Sequence, residues 1–149
     1  MIENAAVLGA GSWGSALAIA LADRKLNVVL YGNDEEVCDE IDISHSNERY
    51  LPGVELPGNI IGSTDINEAA CCEVILLVVP SQVARIVLKQ LAKAQPSKDT
   101  IIVSCTKGLD PETGELMHEL IHEFFPDNPV AVLSGPSHAE EVASRMATL

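Results

Sequence analysis

A chain of 149 residues, 47% hydrophobic and 21% charged, is long enough for one domain with a proper core and too apolar for a disordered segment. Nine basic against 22 acidic residues give a formal charge of −13, so the chain lacks the basic footprint of a general nucleic-acid binder or of a protein held on an anionic membrane. A phosphorylated small ligand stays allowed, because a helix N-terminus can supply positive potential locally.

Residues 5 to 22 carry no charge, yet they read as neither a signal sequence nor a membrane span. Glu3 precedes them without any Lys or Arg, and three glycines and two serines interrupt the run. They divide into a strand "AAVLG" (5–9), a turn, and a helix "SWGSALAIALADRK" (12–25). With no other targeting signal, a cytoplasmic protein is expected.

A second strand, "NVVLYG" (27–32), is followed by a helix over 34–46 with acids in its first turn. Residues 47–59 hold two prolines and two glycines and read as a loop. A short strand at 59–64 and a short helix at 65–71, capped by Asp65 or Thr64, come next. "VILLVVP" (74–80) is the clearest strand, uninterrupted and stopped by proline, as in the middle of a parallel sheet. The segment 81–94 reads as an amphipathic helix capped by Ser81, its apolar face made of Val83, Ile86, Val87, Leu91 and Ala94. A strand at 100–106, a helix at 112–125 after Pro111, a strand at 129–135 and a helix at 137–147 complete the order. That last helix has no following strand to pack against. The alternation predicts the α/β class: a doubly wound, mostly parallel sheet with helices on both faces.

Gly9, Gly11 and Gly14 form GxGxxG in "VLGAGSWGSALA", between a predicted strand and a predicted helix. That context makes the string a dinucleotide cradle. Gly9 permits the tight turn, Gly11 the approach of a pyrophosphate, and Gly14 close packing of helix on strand. An acid that reads the ribose 2′-hydroxyl is expected about 20 residues on. There the sequence places Asn33, with Asp34 next, and no Arg or Lys between Leu26 and Glu48. Asn33 can bond either a hydroxyl or a phosphate, so NAD and NADP both stay open. Asp34 reads equally as a helix cap or a ribose contact, and Trp13 equally as a core residue or a groove wall.

Ligands of open parallel sheets bind outside the carboxyl ends of the strands. Those ends carry Pro80 and Ser81, then Thr106, Lys107 and Gly108, then "SGPS" with Ser134, Gly135, Pro136 and Ser137. Lys107 could face an anionic substrate, and "SGPS" could form a second anion site; taken alone, one is a solvated loop lysine and the other a plain turn. His138 has no partner pattern for nucleophilic catalysis, and His45, His118 and His122 lie on predicted helices without forming a metal set. Cys38, Cys71, Cys72 and Cys105 make no CxxC pair and are expected as buried, reduced thiols.

Taken together, "GAGSWGSALA", "NERYLPGVELPGNI", "VVPSQ", "TKGLD" and "LSGPSHAEEVA" resemble, in the same order and over essentially the whole chain, NAD(P)-dependent glycerol-3-phosphate dehydrogenases of the bacterial type. The resemblance implies a Rossmann dinucleotide-binding domain over residues 1–149, followed in the family by a helical substrate domain that is absent here, so the chain reads as truncated. It implies cofactor contacts from Gly9, Gly11, Ser12, Trp13, Gly14, Asn33, Tyr50, Pro80, Lys107 and Ala139. Substrate contacts are implied for Lys107, Gly135 and Ser137. No catalytic residue is implied within the chain, because the family's proton-transferring lysine falls beyond Leu149. Asn33 departs from the Arg or His usual in NADPH-preferring relatives, which puts NADP preference in doubt.

The implied reaction interconverts dihydroxyacetone phosphate and sn-glycerol 3-phosphate by hydride transfer with NAD(H) or NADP(H), for glycerophospholipid synthesis. Partners would be the phosphorylated small molecule, with no nucleic acid and no membrane insertion; a homodimer is a candidate assembly of the full-length enzyme. Two alternatives compete. One is the Rossmann domain of another hydroxy-acid or sugar-nucleotide dehydrogenase, against which "TKGLD" and "SGPS" argue. The other is a non-catalytic dinucleotide-binding module.

Overall fold

The computed structural model describes residues 1–135 and 137–146. Its centre is a six-stranded sheet in which all neighbouring strands run parallel. The strands are β1 (Asn4–Leu8), β2 (Asn27–Tyr31), β3 (Ile60–Ser63), β4 (Val74–Leu77), β5 (Ile101–Ser104) and β6 (Val130–Val132), ordered β3-β2-β1-β4-β5-β6. This is the order of a dinucleotide-binding doubly wound sheet. The chain reverses its direction of winding between β1 and β4, so a crevice opens there at the carboxyl ends.

Helices cover both faces, as the alternation predicts. On one face lie α1 (Ser12–Ala22), α2 (Glu35–Ser44) and α6 (Ala139–Ala143). On the other lie α3 (Ile66–Ala70), α4 (Ser81–Lys93) and α5 (Met117–Phe124). The period-two alternation of β1 divides its side chains between the two cores. Val7 joins Ile19 and Ile41, while Ala6 and Leu8 join Leu88 and Leu91. Residues 5–8 are all fully buried, which is why β1 reads as a continuous apolar run without alternation.

Several expectations shift. The first helix stops at Ala22 rather than 25, because the chain turns left-handed at Lys25 (φ +67°). Ser81 is the first residue of α4 and does not cap it; Pro80 holds the cap position, with no side-chain bond. The buried face of α4 is Ala84, Val87, Leu88 and Leu91, while Val83 and Ile86 are exposed. The helix predicted from 112 starts only at Met117. Before it, the Gly114 N–H donates to the Asp110 carbonyl (2.8 Å) and the Thr113 hydroxyl to the Asp110 carboxylate (2.8 Å). With Gly114 at φ +75°, this turn competes successfully with helix.

The last helix does find a partner. α6 is short, but Ala143 is buried with the α1 core, and Arg145 makes a bidentate bond to Asp23 at 2.7 and 2.9 Å. Pro136 and residues 147–149 of the predicted "SGPS" turn and final helix lie outside the described residues. Of the four thiols, Cys38, Cys72 and Cys105 are buried and Cys71 is exposed, at the C-terminal end of the short α3.

Candidate functional site

Backbone, not side chains, builds the first half of the site. Gly9 follows β1 at φ +126°, and its N–H donates to the Tyr31 carbonyl at 2.9 Å. A Cβ on Gly9 would stand 2.8 Å from the Val78 carbonyl oxygen of the neighbouring strand end. A Cβ on Gly14 would stand 1.7 Å from the Gly9 carbonyl oxygen, so the first turn of α1 can lie on the loop only without a side chain there. Gly11 is different: nothing lies within 4 Å of where its Cβ would be. That open space is on the side from which an anion would approach the helix.

The three capped and uncapped helix starts make the point sharper. Asp34 caps α2, its Oδ1 accepting from the N–H groups of Glu36 and Val37 (3.1 and 3.4 Å), and Asp65 caps α3 through Asn67 N–H (2.9 Å). α1 starts at Gly11 with no side-chain cap and no acid in its first turn. Its leading N–H groups and positive dipole end are therefore left for a ligand. A pyrophosphate fits this donor set.

The crevice beside the loop has a volume of about 580 Å³ and is walled by Gly9, Gly11, Asn33, Tyr50, Pro80 and Ile86, among others. Val83 also faces it, which explains why that side of α4 is apolar yet exposed. The sequence pattern alone could not separate this stripe from the core stripe one position away. Asp34 also lines the crevice, but its carboxylate is engaged as the cap of α2 and pairs with Arg49 Nη1 at 2.6 Å.

Asn47 is a residue that motif reading missed. It is fully buried, and its amide donates to the Ala10 carbonyl (3.0 Å) and the Ser15 hydroxyl (2.9 Å). It thereby ties the 47–59 loop to the glycine cradle. No sequence signal marks it, since buried asparagine looks like any loop asparagine.

A second cavity of about 430 Å³ opens at the ends of β5 and β6, and Trp13, Lys107, His118, Gly135 and Ser137 are among its walls. Trp13 is half-buried against the α1 core and lines this second cavity, while the crevice beside the glycine loop is walled without it. Ser12 is half-buried at the helix start, Gly14 is buried under the turn, and Ala139 packs against the α1 core; none of the three walls either space.

Lys107 is exposed, on a loop fixed from beneath. The Thr106 hydroxyl lies 3.1 Å from the Leu77 carbonyl and 2.8 Å from that of Val79, so it bonds the end of β4. Asp110, buried, receives Arg85 Nη2 of α4 at 2.7 Å, and Arg85 also reaches Glu123 of α5 at 2.9 Å. The Arg85 hydrogen bond, joined by that of Thr113, holds the Asp110 carboxyl below its ordinary range. Cys105 lies in the wall as well, but burial pushes its thiol up to about 12, so it is no nucleophile at neutral pH.

Known proteins share this fold. The family described as the N-terminus of NAD-dependent glycerol-3-phosphate dehydrogenase matches residues 4–149. The chain belongs to the NAD-dependent glycerol-3-phosphate dehydrogenase family. A glycerol-3-phosphate dehydrogenase (NAD(P)+) of Bacillus cytotoxicus is 46% identical over 146 residues, covering 95% of this chain and 42% of that protein. A crystal structure of glycerol-3-phosphate dehydrogenase from Coxiella burnetii superposes with a TM-score of 0.90 at 35% identity, covering 99% of this chain and 45% of that one. The yeast glycerol-3-phosphate dehydrogenase structure gives 0.85 at 25% identity, covering 97% and 45%. The chain thus spans less than half the length of these glycerol-3-phosphate dehydrogenases. The chain corresponds to the N-terminal, NAD-binding domain of that family. Among the described residues no helix is long and apolar enough to cross a membrane.

Proposed function

We propose that this chain is the cofactor-holding part of an NAD(P)-dependent sn-glycerol-3-phosphate dehydrogenase. The observation that carries the reading is that Trp13, Lys107, and Gly135 with Ser137, from three separate segments, wall one cavity beside the glycine cradle. In this reading Gly9, Gly11, Ser12, Gly14 and the first turn of α1 hold the pyrophosphate. Asn33 and Tyr50 border the adenosine end, and Pro80 and Ala139 belong to the cofactor's surroundings.

A bound nicotinamide dinucleotide supplies the hydride chemistry. The chain's own residues position and neutralise. The Lys107 ammonium gives the second cavity a cation suited to a phosphate monoester, and Gly135 and Ser137 offer an N–H and a hydroxyl from the facing loop. Thr106 and the Arg85–Asp110 pair keep the lysine loop from drifting, so orientation is set before substrate arrives. In this reading Lys107 neutralises charge and does not carry proton transfer to the substrate oxygen. That role is assigned to a lysine of the helical domain that follows in the family, outside this chain. The whole enzyme would work in the cytoplasm in glycerophospholipid synthesis, with a homodimer as its candidate assembly.

Trp13 is the single tryptophan and lies between cradle and cavity, so it reports directly. Titration of the 149-residue chain with NADH is expected to quench its emission with saturation, while dihydroxyacetone phosphate turnover stays near background. No change in emission at any NADH concentration would sink the cofactor reading. A full dehydrogenase rate from this chain alone would sink the assignment of proton transfer elsewhere.

A further inference from the structure

The end of β2 is where a dinucleotide-binding sheet reads the ribose 2′-position, with an acid for a hydroxyl or a nearby arginine for a phosphate. In sequence this chain shows no Arg or Lys from Leu26 to Glu48. In space one arrives from the next loop. Arg49 Nη1 lies 2.6 Å from Asp34 Oδ2, directly beside Asn33, and the guanidinium carbon stands 5.3 Å from the centroid of the Tyr50 ring. Asn33, Asp34 and Tyr50 all wall the crevice.

The segment is held at this spot. Asn47, two residues before, is fully buried on the glycine cradle, and Leu51, two residues after, is 1% exposed. The Arg49 side chain itself is 59% exposed, and its only ion pair among the described residues is the one with Asp34. An exposed pair of this kind is weak and exchanges readily. A phosphate monoester, with more charge and a geometry matched to the guanidinium fork, is a stronger partner than one carboxylate.

Resting on the cofactor site proposed above, we infer that Arg49 is the ligand of the 2′-phosphate that allows this chain to take NADP(H) as well as NAD(H). Asp34 competes with it. Without a 2′-phosphate, Asp34 holds the guanidinium beside the crevice; with one, Arg49 turns to the phosphate. The Asp34 charge opposes the phosphate, so the pair sets how far the two cofactors are discriminated. Asn33 then needs no charge of its own for NADP(H) to bind.

Calorimetric titration of the 149-residue chain with NADPH and with NADH, at two salt concentrations, tests this. Arg49→Gln is expected to weaken NADPH about tenfold and NADH less than about twofold, and to remove the steeper salt dependence of NADPH. Asp34→Asn keeps the α2 cap but removes the charge, and is expected to tighten NADPH several-fold. Arg49→Gln weakening both cofactors equally, or neither, overturns the inference while leaving the cradle intact. Failure of wild-type chain to bind even NADH overturns the cradle and this inference together. A thermal melt of each variant separates loss of fold from loss of a ligand.

Discussion

The two spaces at the carboxyl edge of the sheet are made of different material. The crevice at β1, β2 and β4 is fixed at its glycine-loop end by backbone: Gly14 seated on the Gly9 carbonyl, Gly9 against Val78, and a buried Asn47 closing the loop behind. The cavity at β5 and β6 is defined by loop side chains beside an edge strand of three residues, where Val132 is 59% and Leu133 47% exposed. The first cannot change shape without breaking the β1–α1 junction. The second is held by a few polar ties, namely Thr106 and the Arg85–Asp110 pair. A site for a large, invariant cofactor gains from the first construction. A site for a small substrate tolerates the second, because its walls can be adjusted one loop at a time.

The sharpest way to break this contrast is Gly14→Ala. Its methyl would stand 1.7 Å from the Gly9 carbonyl oxygen, so either backbone must move. A loss of about 3 kcal/mol in a urea unfolding titration is expected, with loss of NADH binding. Unchanged stability and binding would show that the cradle is as adjustable as the second cavity. Next comes Asn47→Ala, expected to cost about 2 kcal/mol and to weaken NADH, because a fully buried amide bonded to Ala10 and Ser15 is removed.

On the other side of the comparison the effects are smaller and depend on pH. The Asp110 carboxyl is depressed below the ordinary 3.8, chiefly by Arg85, so its contribution is complete above that value and is lost as pH falls below it. Wild type should therefore exceed Asp110→Asn in melting temperature at pH 6, and the gap should close as pH drops below about 4. A gap that does not narrow between pH 6 and pH 2 would refute the ion pair as its source. Lys107→Ala, on an exposed side chain, should change stability by no more than about 0.5 kcal/mol. It should nevertheless weaken binding of sn-glycerol 3-phosphate to the NADH-saturated chain about fivefold or more, measured by calorimetry.

Local signals account for much of this molecule. Strands such as residues 74–77 announce themselves because a strand buried on both faces has no polar positions to confuse the pattern. Asp34 and Asp65 mark helix starts because a short carboxylate satisfies free N–H groups within two or three residues. Gly9 and Gly14 could be assigned separate duties because only the absence of a Cβ allows the turn and the contact found there. Where local rules compete, the sequence misleads. Residues 112–116 have helical composition, but the Asp110 side chain and Gly114 fold them into a turn. The apolar stripe of α4 includes Val83 and Ile86, which face the crevice and not the core.

The sequence by itself determined the alternation of strands and helices, the cradle after β1, and the family to which the chain belongs, since each rests on contacts between residues close in the chain or on a motif carried whole. Only the tertiary structure decided that Asn47 locks the loop to the cradle, that α6 closes onto α1, and that Arg49 stands at the end of β2 beside Asp34. Those pairings join residues 15 to 122 positions apart. Nothing in local propensity or spacing encodes them; they follow from which loops the parallel sheet gathers at its carboxyl edge.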